Sequence, residues 1–218
     1  HIKHLEEYFQ VYRKSAENPE SFWEEIAEEH FVWRKKWDTV LNWDFNKPEV
    51  KWFEGAQLNI TENCLDRHLL SRGDKTAILF EPNDPNEAAQ HISYKQLHQR
   101  VCKMANVLKG KGVKKGDRVC IYLPMIPELV YAVLACARIG AVHSVVFAGF
   151  SASALATRIN DCDCKLVITS DGSYRGAKTI DLKGIVDKAL DECPDVKSVL
   201  VAKRINADVQ MTKGRDHW

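Results

Sequence analysis

Residues 116–159 read GDRVCIYLPMIPELVYAVLACARIGAVHSVVFAGFSASALATRI, and this stretch decides the fold. Arg118–Leu123 is a short apolar run dense in β-formers, and it stops at Pro124. Pro127 sits where a first helical residue belongs, and the apolar segment behind it ends at Gly140, a residue suited to helix termination. A second apolar run, Ala141–Phe147, breaks at Gly149, and Ser151 or Ser153 is placed to cap another helix. Strand, helix, strand, helix with such short connections predicts parallel strands joined by crossover helices.

The same rhythm extends in both directions. Downstream, the pattern predicts a strand over Lys165–Thr169, a turn at Ser170–Gly176, a helix around Leu182–Cys193 and a last strand, Ser198–Ala202. Upstream, Glu62–Leu70 reads as a helix with Leu65, Leu69 and Leu70 on one side. Lys75–Phe80 reads as a strand, followed by the turn-rich EPNDPNE and a short strand at His91–Ser93. Ser93 and Gln96 have capping-box spacing. The helix behind them, running to about Lys109, shows an apolar stripe at Tyr94, Leu97, Val101, Met104, Ala105 and Leu108. The expected fold is α/β: a doubly wound, mainly parallel sheet with crossover helices.

Residues 1–60 differ. They hold five of the six tryptophans, and Ser21 followed by Glu24 suggests a capped helix ending near His30. Val40–Phe45 and Val50–Phe53 read as strands around a turn at Asn46–Pro48. The expected division is an aromatic-rich N-terminal arm over 1–60, packed on an α/β body over 61–218.

Bulk properties narrow the function. The 218 residues carry a formal net charge of +1, so no overall field recruits nucleic acid or a membrane surface. No apolar run is long enough to span a bilayer; residues 127–139 come nearest. Seven cysteines, an odd number without a CxxC, read as reduced thiols of a cytoplasmic protein. Cys162-Asp-Cys164 lacks a second ligand pair at zinc spacing, so no metal site is expected. His143, mid-strand among apolar residues, reads as a core histidine. No carboxylate pair, Ser/His/Asp arrangement or GxSxG elbow marks a catalytic residue, and none is assigned in this chain.

What chemistry remains lies beyond strand ends, where ligands of open α/β sheets bind. Three such ends are expected: Leu123–Ile126, Phe147–Ser151 and Ser170–Lys178. Gly149 permits close backbone approach. Arg175 and Lys178, three positions apart beside Gly172 and Gly176, suit a phosphate or pyrophosphate.

Several stretches together resemble one family. Trp52–Leu69 (WFEGAQLNITENCLDRHL), Gly112–Val119 (GVKKGDRV) and Cys136–Phe147 (CARIGAVHSVVF) are similar to the AMP-forming acetyl-CoA synthetases, among the adenylate-forming acyl-CoA ligases. The resemblance implies a coenzyme A site. Phe147, Ala148 and Gly149 match the family's aromatic-glycine-glycine step, with Ala148 in place of a common glycine. Arg175, Gly176, Ala177 and Lys178 match its basic turn, with Lys178 where arginine is common. It further implies that the full-length protein converts acetate, ATP and CoA, with Mg²⁺, to acetyl-CoA, AMP and pyrophosphate through an acetyl-adenylate. The family's Thr/Ser/Gly-rich phosphate loop, its ribose-binding acid and its catalytic lysine are absent from these residues. On this resemblance the chain is an N-terminal portion, inactive alone, with no tightly bound cofactor and with the ATP-binding and C-terminal remainder of its own chain as partner. The alternatives are a propionate-preferring ligase and a non-catalytic module for CoA or an adenine nucleotide.

Overall fold

The computed structural model describes residues 2–218. They form two compact units, one ending at Asn63 and the other running Cys64–Trp218.

The first unit holds helices α1 (Leu5–Glu17) and α2 (Pro19–His30) and an antiparallel ribbon of β1 (Thr39–Asp44) with β2 (Glu49–Glu54). The ribbon and its turn fall where the sequence placed them. The start of α2 does not: Pro19 opens the helix directly after Asn18, leaving Ser21 inside it. The core of this unit is aromatic. Trp33, Trp37 and Phe53 pack with ring centroids 4.9–5.6 Å apart. The two indole N–H groups donate to the Ala27 carbonyl (2.9 Å) and to Glu24 (3.0 Å).

Helix α3 (Ile60–Cys64) crosses from one unit into the next. The continuous helix expected over Glu62–Leu70 is broken here. After α3 come a 3₁₀ turn, Asp66–His68, and the single-turn α4 (Leu69–Arg72). Leu65 is buried, while Leu70 is fully exposed. A bidentate pair between Asp66 and Arg138, 2.8 Å on each arm, holds the 3₁₀ segment.

The second unit is three layers. Its sheet is wholly parallel, in the order β11 (Asp216–His217), β10 (Ser198–Ala202), β7 (Leu166–Ser170), β5 (Arg118–Ile121), β6 (Val142–Val145). Helices α5 (Tyr94–Gly110) and α6 (Pro127–Ile139) cover one face; α7 (Ala152–Asp161) and α8 (Leu182–Leu190) cover the other. Cover on both faces explains why β5, β7 and β10 are largely apolar. Val119, Ile121, Leu166, Ile168 and Leu200 face the α5–α6 layer, and Cys120, Tyr122, Val167, Val199 and Val201 face the α7–α8 layer. Gly140 ends α6 with φ +74°, the left-handed conformation a helix stop requires. The Ser93–Gln96 capping box forms: Ser93 Oγ accepts the Gln96 N–H (3.2 Å), and Gln96 Oε1 accepts the Ser93 N–H (2.9 Å).

A bulged antiparallel ribbon of β3 (Thr76–Phe80) and β4 (Gln90–Ser93) precedes α5. A small hairpin, β8 (Ser173–Arg175) with β9 (Lys178–Ile180), follows β7. The sequence predicted only a turn there. The edge strand β6 also differs from expectation: His143 is exposed, flanked by exposed Val142 and Val145, and is not a core histidine.

The chain runs β5 to β6 in one direction and then reverses past β5 to β7 and β10. The reversal lies between β5 and β7, where crevices of doubly wound sheets form.

Candidate functional site at the carboxyl edge of the sheet

A cleft of about 700 Å³ opens at this edge. Leu123–Ile126 after β5, Val145–Gly149 at the end of β6, Ser173–Arg175 after β7 and Arg204 after β10 line it, with Phe80–Asn83 after β3. All belong to the second unit. The lining is mainly apolar, and Met125 and Phe147 are largely exposed at 83% and 70%. Such a surface suits a ligand with a large uncharged body.

The wall after β6 is a tight turn. The Gly149 and Phe150 N–H groups donate to the Phe147 carbonyl (2.7 and 3.1 Å). The Phe147 ring folds over Gly149, where an added Cβ would meet it at 2.5 Å. Ala148, half-buried, turns its methyl toward the α7–α8 core. The turn is anchored from below, where the buried Tyr122 hydroxyl donates to the Phe150 carbonyl (2.8 Å). Ser151 caps α7, accepting the Ala154 N–H (3.3 Å), so the first turn of that helix starts beside the cleft.

The opposite wall is the β8–β9 hairpin. Its two-residue loop is Gly176–Ala177, with Gly176 at φ +60°. Arg175 pairs with Lys178 in register, so two exposed cations stand side by side on one face of a ribbon only three residues long. Directly opposed like charges destabilise a ribbon unless an anion lies between them. The arrangement is therefore a local cost in the free protein, and two adjacent cations have the chemistry to hold an anion.

Of the seven residues singled out in the sequence, Phe147, Ala148, Gly149 and Arg175 line one cleft, and Gly176, Ala177 and Lys178 form the hairpin tip next to it. The sequence reading missed Arg204, Tyr174 and Phe80. Arg204 lay two residues beyond a strand end already recognised, and the strand-end rule applied there would have found it.

Two other clusters have no catalytic geometry. His98 approaches Asp66 (3.4 Å) and Cys102 (3.6 Å) through the same nitrogen, Nε2, so it cannot relay a proton from one to the other. Cys120, Cys136, Cys164 and Cys193 are buried. Burial raises all four thiols, those of Cys136 and Cys164 to about 12. Among the described residues no group of three or more His, Cys, Asp or Glu side chains could hold a metal ion, and no helix is long and apolar enough to cross a membrane.

Known proteins match the chain over nearly its whole length. The AMP-binding enzyme family model matches residues 65–217, and the model of the acetyl-coenzyme A synthetase N-terminus matches residues 8–64. The chain is 56% identical over 211 residues to an acetyl-coenzyme A synthetase of Alkalilimnicola ehrlichii, covering 97% of this chain and 33% of that protein. It is 54% identical to acetyl-coenzyme A synthetase 2 of Pseudomonas aeruginosa, covering 98% of this chain and 33% of the relative. The solved acetoacetyl-CoA synthetase from Streptomyces lividans superposes with a TM-score of 0.85 at 28% identity, over 94% of this chain and 31% of that one. The chain thus spans about a third of the length of the relatives it matches.

Proposed function

Since this chain belongs to the AMP-binding enzyme family, we propose that it is the N-terminal portion of an AMP-forming acetate–CoA ligase. In the full-length protein the acetate carboxylate attacks the α-phosphorus of ATP, pyrophosphate leaves, and acetyl-adenylate forms. The CoA thiol then attacks the acyl carbon and AMP departs. Magnesium would neutralise charge on the triphosphate, and no residue of this chain is assigned to it or to the reacting atoms. The arm over residues 1–60 is an extension of the ligase domain, and the protein works in the cytoplasm.

This segment contributes sheet core and one lip of the CoA site. The Phe147–Gly149 turn offers an aromatic face and close backbone approach, and Arg175 with Lys178 grips the nucleotide 3′-phosphate. Arg175 has the forked donors, while Lys178 acts as a point charge. The observation that carries the reading is the in-register Arg175–Lys178 pair at the mouth of an apolar cleft.

The test is Arg175→Ala in the full-length protein. A charge-assisted bond to phosphate contributes about 1.5–3 kcal/mol when shielded. At this exposed tip the lower end applies, so KM for CoA should rise about 10-fold, with KM for acetate and ATP unchanged. CoA lacking its 3′-phosphate should lose the distinction between variant and parent. An unchanged KM for CoA would refute the assignment. The isolated 218 residues should release no pyrophosphate from ATP and acetate; release would refute the division of labour.

A further inference from the structure

We infer that Arg204 is a positioning residue for the basic lip, held from behind by Asp171 and acting through Tyr174. This rests on the CoA reading above.

Asp171 sits one residue past β7, 1% exposed. Its carboxylate accepts three backbone N–H groups of the segment after β10: those of Arg204 (2.7 Å), Ile205 (3.1 Å) and Ala207 (3.1 Å). Its own N–H donates to the Ala202 carbonyl (2.9 Å). A buried carboxylate with three amide donors is a rigid clasp. It fixes where the Arg204 side chain leaves the backbone.

The guanidinium then serves three neighbours at once. It donates to Glu87 (2.9 and 3.1 Å), and it lies over the rings of Tyr174 (5.2 Å) and Phe80 (5.6 Å). Its charge is therefore already matched, and it is not a third phosphate ligand. Tyr174 and Arg175 alternate along β8, so the arginine stack pins one face of the ribbon while Arg175 and Lys178 project from the other. The hairpin tip has a second tie, from Asn83 Nδ2 to the Gly176 carbonyl (3.2 Å). A ribbon of three-residue strands bearing two opposed cations has little stability of its own. Without the Tyr174 stack it samples many orientations, and the grip on phosphate is lost in proportion.

The experiment measures steady-state kinetics of the full-length protein, with CoA and 3′-dephospho-CoA, for Arg204→Gln, Arg204→Lys, Tyr174→Leu and Arg175→Ala, with thermal unfolding alongside. Loss of one partly desolvated cation–π contact predicts a KM for CoA about 3- to 10-fold higher for Arg204→Gln, with kcat within about twofold. Arg204→Lys should recover part of it, and KM for 3′-dephospho-CoA should barely move. Tyr174→Leu removes the stack without touching Asp171 or Glu87 and should give the same shift even where Arg204→Gln folds poorly. If Arg175→Ala raises KM but Tyr174→Leu, or a well-folded Arg204→Gln, does not, the positioning role is overturned and the CoA reading stands. If Arg175→Ala has no effect, both fall.

Discussion

Replacing Asp216 by asparagine should cost stability at neutral pH, and about half of that cost should vanish by pH 3. The Asp216 side chain is wholly buried. It accepts from Lys183 Nζ (2.8 Å), Arg215 (2.6 and 3.1 Å) and the Thr212 N–H (2.8 Å). Burial pushes its carboxyl up, but Arg215, Lys183 and the Thr212 amide outweigh it and hold the group at about 2, against 3.8 unperturbed. The sign follows directly: the folded state favours the ionised form, so the gain is complete above pH ~5 and is lost as pH falls from 3.8 through 2. The fall from 3.8 to about 2 corresponds to about 2 kcal/mol at pH 7, of which about 1 kcal/mol is gone by pH 3. The assay is urea unfolding of parent and Asp216→Asn at pH 7, 5 and 3, followed by tryptophan fluorescence. The stability difference should be equal at pH 7 and 5 and smaller by about 1 kcal/mol at pH 3. A difference independent of pH would show that Lys183 and Arg215 do not favour the carboxylate, and the account of how the chain after β10 is tied down would fail with it.

Four further outcomes are expected. Thr169→Val should leave stability unchanged or raise it by about 1 kcal/mol in urea unfolding, because the buried Thr169 hydroxyl has no hydrogen-bond partner among the described residues. Ser93→Ala breaks the capping box of α5 and should lower stability by about 1 kcal/mol in the same assay. Gly172→Ala should lower stability by about 1–3 kcal/mol and raise KM for CoA in the full-length protein, since its Cβ would collide with the Ile205 side chain and meet the Ile180 carbonyl at 2.8 Å, splaying the hairpin from its support. Under an aromatic disulfide reagent at pH 8, Cys120, Cys136, Cys164 and Cys193 should react only on unfolding; rapid native modification of any of them would contradict the packing around the sheet.

The body of the fold was legible because its signals were local. Pro127 and Gly140 bracket a helix by backbone chemistry alone, and β5, β7 and β10 are apolar runs buried on both faces. Apart from the start of α2, which Pro19 sets locally, the misreadings share a cause, long-range placement overriding a local pattern. The Glu62–Leu70 stretch has helical spacing, yet Asp66 is held by Arg138, 72 residues away, and the helix breaks. The β8–β9 hairpin carries no alternating hydrophobic signal, because its stability comes from Arg204 and Asn83 rather than from a buried face. His143 looked buried because β6 is apolar, and only the strand order shows that β6 is an edge.

That same strand order separates what the sequence could and could not say about the site. Naming the strand ends gave Phe147–Ser151 and Ser170–Lys178, because a ligand approaches wherever parallel strands stop, and the family resemblance narrowed these to Phe147–Gly149 and Arg175–Lys178. It could not say that these ends meet at one cleft. That depends on the chain reversing past β5, which brings the ends of β6, β7 and β10 around a common opening. Once they are neighbours, a basic lip needs something to fix its angle. A short hairpin cannot do this alone, and the extra element is the segment after β10, clasped at its start by Asp171 and at its far end by the Lys183–Asp216 pair. The two acids lie outside the cleft lining, yet they fix both ends of the span that carries Arg204. Loosening either should therefore reach the β8–β9 hairpin through the backbone, which, on the proposed CoA reading, links the stability of this span to the affinity for phosphate.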